Sequence, residues 1–374
     1  MMVALWSVNT QTMQNVSLDA RAGWLKKAID TASGRAMEQL ARIGLWPPKS
    51  YPFALFAAPE YFLAQPVAIG ASHGPGSQRH IDETEKVKRL AEFQQISKSH
   101  KGMIIIPGTI AWQKPLLRSG SKQYHSKGTQ KGQLKTVSRQ DKATEAVNFY
   151  ARRQNLQPTD RLSGQLNTAT GKINAPTTQQ KLDALATAGP LVNLSGVQYL
   201  ARNTAYVLLD GNIIMKYNKQ GDFHEVLNGH QTIHIPGKLD GRFQIRSSND
   251  EERPIAFGIE ICLDHVFQTT GKEIPHLGEV DIHIISSAQV QERQANVAVR
   301  PNGYLVHACS NSKYSGVKQM QTSWWSSSSL APTKPLHSEN VGGAPLDLWR
   351  IDLDLTRKTG SPQPSSDTAR KQFY

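Results

Sequence analysis

Cysteine is scarce: the 374-residue chain contains two, Cys262 and Cys309. Two thiols cannot build the disulfide framework of a small secreted scaffold, so a reducing compartment, the cytoplasm, is the expected home. Long apolar runs are also missing. No stretch approaches the ~20 apolar residues of a membrane helix, and the opening Met1 to Val8 has no basic leader of the Sec type. No membrane contact is expected. Acidic residues are the minority, 30 against 43 Lys+Arg, which leaves a net charge of +13 and raises acidic partners as a first possibility. The 12 histidines are not spaced as a ligand set, so neither a metal nor a cofactor is expected.

What is present reads as alternating strands and helices. Val3 to Val8 is a short apolar run, and Ser17 then precedes Leu18, Ala22, Leu25, Ile29, Ala32, Ala36, Leu40 and Ile43 at helical spacing. Pro52 to Ala58 predicts a second strand. Val87, Leu90, Phe93 and Ile96 predict a second helix, and Met103 to Pro107 a third strand. Two apolar runs flank Asp210-Gly211, the signature of a hairpin. Further strands are expected at Ile255 to Cys262, Asp281 to Ser286, Gly303 to Cys309 and Leu346 to Leu353, with irregular chain from Ser323 to Asn340.

Between 113 and 200 the apolar periodicity gives way to Lys, Ser, Thr and Gly. This stretch has 13 basic and four acidic residues, so its +9 leaves only +4 for the remaining 286 residues. One domain over 1–355, interrupted by a basic polar insertion at 113–200 and followed by a disordered tail at 356–374, is the expected organisation. A helix at Ala143 to Asn155 is the one regular element expected inside the insertion. The aromatics between Trp112 and Tyr199, namely Tyr124, Phe149 and Tyr150, are few for stacking bases, which disfavours nucleic acid as the insertion's partner.

Three residues carry chemistry. Cys262 ends an apolar strand, where a nucleophile would be held rigidly and projected from the sheet; a strand cysteine is otherwise usually core. Glu60 follows a buried strand among aromatics, a setting that raises a carboxyl's proton affinity and suits a general base. Lys216 ends the hairpin strand and could stabilise a developing oxyanion. Cys309, inside a strand, reads as an inert thiol. Glu260, a charge within the nucleophile strand, demands either a polar partner or a sheet edge.

The order of Pro59-Glu60, then Lys216-Tyr217-Asn218-Lys219, then Gly258-Ile259-Glu260-Ile261-Cys262-Leu263-Asp264 resembles the nitrilase (carbon-nitrogen hydrolase) superfamily. Asn203 to Ala205, Asp210-Gly211, Asp281 to Ala288, Asn302 to Val306 and Trp349 to Leu353 add to the resemblance, which covers about 1–112 and 201–355. It implies an α/β fold, specifically a four-layer α-β-β-α sandwich, and a homo-oligomer, most simply a dimer. It also implies a Glu-Lys-Cys triad of Glu60, Lys216 and Cys262. A second glutamate of the family falls on Glu225 in preference to Glu251 or Glu252. Tyr61, Trp112, His224, Leu263, His265 and Ser287 fall near strand ends and are expected to line the substrate pocket, while Asp264 is expected to cap the following helix. The stretch Val297 to Asn302 departs from the family in lacking an acid before Asn302. With no second catalytic sequence evident, the chain is expected to stand apart from the family's NAD-synthetase fusions.

The implied activity is thiol-dependent hydrolysis of a small amide, of the amidase or N-carbamoyl hydrolase type, with a nitrile as a further substrate class. The competing reading is a nitrilase-like scaffold that binds a partner through its basic insertion.

Overall fold

The computed structural model describes residues 1–10, 12–48, 51–64, 80–115, 199–220, 232–234, 241–247, 252–267, 279–323 and 326–356, together with Gly237 and four two-residue strands between 123 and 173. Among them it is a mixed α/β structure, mostly strands. Helix α1 (Leu18–Arg42) starts where expected: the Ser17 hydroxyl accepts from the Ala20 N–H at 3.2 Å, and Leu25, Ala28, Ile29, Ala32, Ala36 and Leu40 are buried. Helix α2 (Glu83–Ser99) is capped by Asp82, whose carboxylate accepts from Glu85 N–H at 2.7 Å. Its inner face differs from the sequence reading. Val87 is 57% exposed, whereas Lys86 and Arg89 turn inward, Arg89 being matched by Asp19, Glu85 and Glu92.

The strands are β1 (Met2–Trp6), β2 (Ala54–Ala57), β3 (Met103–Ile106), β4 (Thr109–Pro115), β5 (Tyr199–Leu209), β6 (Asn212–Asn218), β7 (Arg242–Ile245), β8 (Ile255–Ile261), β9 (Val280–Ser287), β10 (Val299–Cys309), β11 (Gly316–Ser323), β12 (Ser326–Pro332), β13 (His337–Val341) and β14 (Ala344–Arg350). One sheet runs β13-β14-β1-β2-β3-β5-β4 and closes on Ile81–Asp82, with β6 and Thr232–His234 also pairing β5. The other runs β7-β8-β9-β10-β11-β12. Helices α1 and α2 cover one face of the first sheet with Trp6, Phe56, Phe62, Trp112 and Tyr206. Its other face packs on the second sheet through a shared core that includes Val3, Leu55, Ile104, Val207, Phe257, Ile259, Ile284 and Val306. Each fully buried aliphatic side chain there is worth roughly 1.5–3 kcal/mol.

The expected hairpin is present: β5 and β6 pair antiparallel around Asp210 and Gly211, whose φ values of 52° and 82° suit a tight turn. The Ser323 to Asn340 stretch is corrected. It forms β12 and β13, which obtain their backbone bonds from β11 and β14, partners that a polar local composition does not reveal. Among the described residues the remaining α-helix, α3 (Leu263–Phe267), is too short to form an outer layer on the second sheet. Inside the insertion, Gln123–Tyr124 pairs Leu134–Lys135 and Leu166–Asn167 pairs Lys172–Ile173, while Ala143 to Asn155 lies outside the described residues. Among the described residues no helix is long and apolar enough to cross a membrane.

Candidate active site

Strand ends from both sheets meet at one place. Glu60 lies three residues beyond β2, and its own N–H donates to the Ser287 carbonyl at the end of β9. Ser286 Oγ donates to the Ala58 carbonyl at 3.2 Å, and the Cys262 N–H donates to the Ser286 carbonyl at 2.9 Å. Backbone therefore ties the carboxylate's segment to the cysteine's. Cys262 sits at φ 51°, in the left-handed region that a side-chain-bearing residue occupies at a cost of order 1–3 kcal/mol, between β8 and α3. Such a turn aims the thiol away from the strand.

The Glu60 carboxylate is fully buried. Lys219 Nζ lies 2.7 Å from its Oε1, and Asn203 Nδ2 donates to the same oxygen at 2.9 Å. Asn203 and Lys219 are cross-strand neighbours, for the Lys219 N–H donates to the Asn203 carbonyl at 2.8 Å. The Cys262 thiol is close enough to Glu60 to feel its charge. Burial first and then Glu60 push that thiol well above the ordinary cysteine range, against the opposing pull of Lys219. The sulfur is therefore a thiol at neutral pH.

Lys216 is not at this centre. Successive strand side chains alternate between faces, so residues three apart point opposite ways. Tyr217 belongs to the core between the sheets, and Lys216 faces the helices instead, with Nζ 5.8 Å from both the Trp112 and Tyr206 ring centroids. Of Lys216-Tyr217-Asn218-Lys219 it is thus Lys219, on the same parity as the apolar Tyr217 and Met215, that lies beside Glu60, and not the Lys216 expected from the sequence. Sequence reasoning also missed Asn203, which shares the face of Ala205 and Val207.

The remaining expected residues divide. Tyr61 is near, its ring centroid 5.5 Å from Lys219 Nζ and its N–H bonded to Thr109 Oγ1. Leu263 follows Cys262 directly and packs on the inter-sheet core. Trp112 is not in the pocket: it lies on the helix-facing side, with Nε1–H donated to Thr204 Oγ1 at 2.9 Å. His265 and Ser287 are fully buried and spend their side chains on internal hydrogen bonds, so they support the site from behind. Glu225, His224 and Glu251 lie outside the described residues, and Glu252, at the opposite end of β8 from Cys262, accepts a hydrogen bond from Ser247. Asp264 sits in the first turn of α3, and its carboxylate reaches the segment around Lys219. Its Oδ2 accepts from Tyr217 Oη at 2.8 Å and from the Gln220 N–H at 2.9 Å, joining the lysine's segment to the cysteine's.

Glu260 has the polar partners its position demanded. His265 Nδ1 and His283 Nε2 both approach its Oε2, at 2.9 and 3.0 Å. The Arg293 N–H donates to His265 Nε2 and the Ala298 N–H to His283 Nδ1, which leaves Nδ1 of His265 and Nε2 of His283 as the nitrogens that donate to the carboxylate. The three side chains are close enough to hold a metal ion, but the imidazole lone pairs are already used by backbone N–H groups, so the arrangement fits a proton-filled network better than a cation. Nearby, Ser287 Oγ lies 2.7 Å from His307 Nε2, and Glu292 is 3.6 Å from that ring's other nitrogen. Cys309 is buried and donates to the Ala288 carbonyl at 3.5 Å.

These networks set the acid stability. Burial holds His265 and His307 below their ordinary 6.5, so the unfolded chain takes up protons there before the folded one does. Burial works to raise Glu260, yet its two histidines win and bring it to about 2, so its contribution is present above the ordinary 4.5 and lost below it. Stability should therefore fall as pH drops through 6.5 and fall further below 4.5. A loss on the order of 2 kcal/mol between pH 7 and pH 5 is expected. Urea midpoints that are equal at the two pH values would contradict this.

No protein-family model matches the sequence, and a search of curated proteins finds no match. Solved structures do match. A glutamine-dependent NAD+ synthetase from Acinetobacter baumannii, in complex with adenosine diphosphate, is 11% identical with a TM-score of 0.25, the match covering 82% of this chain and 38% of that one. A glutamine-dependent NAD(+) synthetase from Cytophaga hutchinsonii is 10% identical with a TM-score of 0.31, covering 82% and 35%. The chain spans little more than a third of the length of either protein, and a likeness this distant bears on neither the site nor the reaction.

Proposed function

We propose that the chain is a carbon-nitrogen hydrolase of the nitrilase type, built on the four-layer α-β-β-α plan, that cleaves a small amide through a thioester on Cys262. The observation that supports this reading best is the convergence of a buried carboxylate, a buried lysine at 2.7 Å and a cysteine held at positive φ, contributed by both sheets. Glu60 is the general base, Cys262 the nucleophile and Lys219 the oxyanion-stabilising cation.

Lys219 and Asn203 occupy Oε1 of Glu60, so Oε2 is the oxygen that takes the Cys262 proton. The sulfur bonds to the amide carbon, and the carbonyl oxygen becomes an oxyanion held by Lys219 and the Leu263 N–H. Collapse breaks the carbon-nitrogen bond, and the departing amine takes the proton from Glu60. A water then gives a proton to Glu60 and attacks the thioester carbon. The second collapse releases the carboxylic acid, and the sulfur recovers the proton. Every step uses groups of the chain, the amide and water.

Incubation of the full chain with a panel of small amides, N-carbamoyl compounds and nitriles tests this. Amine or ammonia release is expected, with an intact-mass increase equal to the acyl group that peptide mapping locates on Cys262. Release without any adduct, or an adduct on Cys309, would refute the mechanism, and silence across all three classes would refute the activity.

A further inference from the structure

Lys216, left without a catalytic task, belongs to a second cluster on the opposite side of the first sheet. Strand register sets its members along one face of the sheet. Arg202 lies directly across from Trp112, Leu200 across from Lys114, and Tyr206 across from Lys216. By the two-residue alternation, Trp112 and Lys114 on β4, Arg202, Thr204 and Tyr206 on β5, and Lys216 on β6 share the helix-facing side. From above, α2 adds Lys86, whose Nζ lies 3.7 Å from the Trp112 centroid.

Four cations thus lie along one face of three adjacent strands and one helix, at partly buried or buried positions, with Lys86 and Lys216 3.7 and 5.8 Å from the Trp112 ring and Lys86 also 4.0 Å from Glu83. Among the described residues no carboxylate pairs with Lys114, Arg202 or Lys216. Of the charges acting most strongly on Lys216, three are the cations Lys86, Arg202 and Lys114, and the opposing one is Glu83. The Tyr206 hydroxyl is buried without a hydrogen bond, and Thr204 beside it is already engaged by Trp112 and Asn218. A concentration of like charge in a partly desolvated setting is unfavourable by itself and becomes favourable when a multiply charged anion fills it. A guanidinium fork with several ammonium groups suits the geometry and charge of a phosphate.

We propose that this face is a phosphate-binding site, separate from the Cys262 centre, formed by Lys86, Lys114, Arg202 and Lys216, which takes inorganic phosphate or the phosphate of a monoester. The two sources share the dianionic group, and the experiment separates them. Neither depends on the hydrolase reading, because the sheet lies between the two sites.

Lysine acetylation of the full chain, followed by peptide mass mapping, is compared in phosphate, in glycerol phosphate and in chloride at equal ionic strength. Protection of Lys216 by at least about fivefold is expected in one or both phosphate arms at ligand tenfold above its dissociation constant, with Lys26, on the exposed face of α1, slowed no more than about 1.5-fold. Protection by glycerol phosphate alone identifies the ester as ligand, and protection by inorganic phosphate identifies the free anion. Equal slowing of Lys216 and Lys26, or equal rates in phosphate and chloride, overturns the site. In a second measurement, phosphate should raise the thermal midpoint of the wild-type chain by about 2 °C over chloride and leave Arg202→Gln unmoved. A shift that is the same in wild type and Arg202→Gln overturns it as well.

Discussion

Lys219→Met should lower amide hydrolysis by a factor of about 10³, and Cys262→Ala should abolish it together with the acyl adduct. Removing one preorganised oxyanion donor typically costs 10²–10³ in rate, and Lys219 has a second task in holding Glu60 at 2.7 Å. Methionine fills similar space without charge, so Glu60 would lose a buried partner as well as the substrate losing its cation. Lys216→Met provides the discriminating comparison: its effect on the rate should be at least 100-fold smaller, because its ammonium lies on the far side of the sheet. Steady-state rates of the three variants on the best substrate of the panel decide the matter. Equal losses in the two lysine variants would remove Lys219 from the mechanism.

The second large effect concerns stability. Glu260→Ala should destabilise the chain by about 3–5 kcal/mol, the range for breaking a buried, hydrogen-bonded charge network. Two imidazole N–H groups would lose their acceptor in a fully buried setting, and both rings are already committed on their other side to backbone N–H groups of Arg293 and Ala298. Glu260→Gln retains an oxygen acceptor and should cost less than half as much. Urea unfolding at pH 7 measures both, and a loss under about 1 kcal/mol for the alanine variant would show that the network contributes little. Because His265 is in α3 immediately after the nucleophile, loss of Glu260 should also slow adduct formation at Cys262.

Much of this site is legible in the sequence where the signal is local. Cys262 follows an apolar run that can only be a buried strand, and Glu60 follows another. Asp210-Gly211 gives the hairpin and hence the register. What is not legible depends on residues distant along the chain. Nothing near Glu260 announces His283, which reaches it from the neighbouring strand, and nothing within Ser326 to Pro332 announces a strand whose partner is β11. The lysine is an intermediate case. Both members of the pair fit the local motif, and only face parity, a tertiary consequence of a local rule, separates them. Trp112 was misplaced for the same reason: its membership of β4 is local, but the side of the sheet it occupies is not.

Asp264 has a mechanical consequence. Its carboxylate joins Tyr217 and Gln220, which flank Lys219 on the first sheet, to the helix that follows Cys262 on the second. It works as a rigid strut across the seam between the sheets, so the lysine and the cysteine ride as one body and the gap between them is set before any ligand arrives. A substrate too large for that gap cannot be accommodated by spreading the sheets. Changes in substrate range should therefore arise at the rim, in residues such as Tyr61, while the interior dimension stays constant.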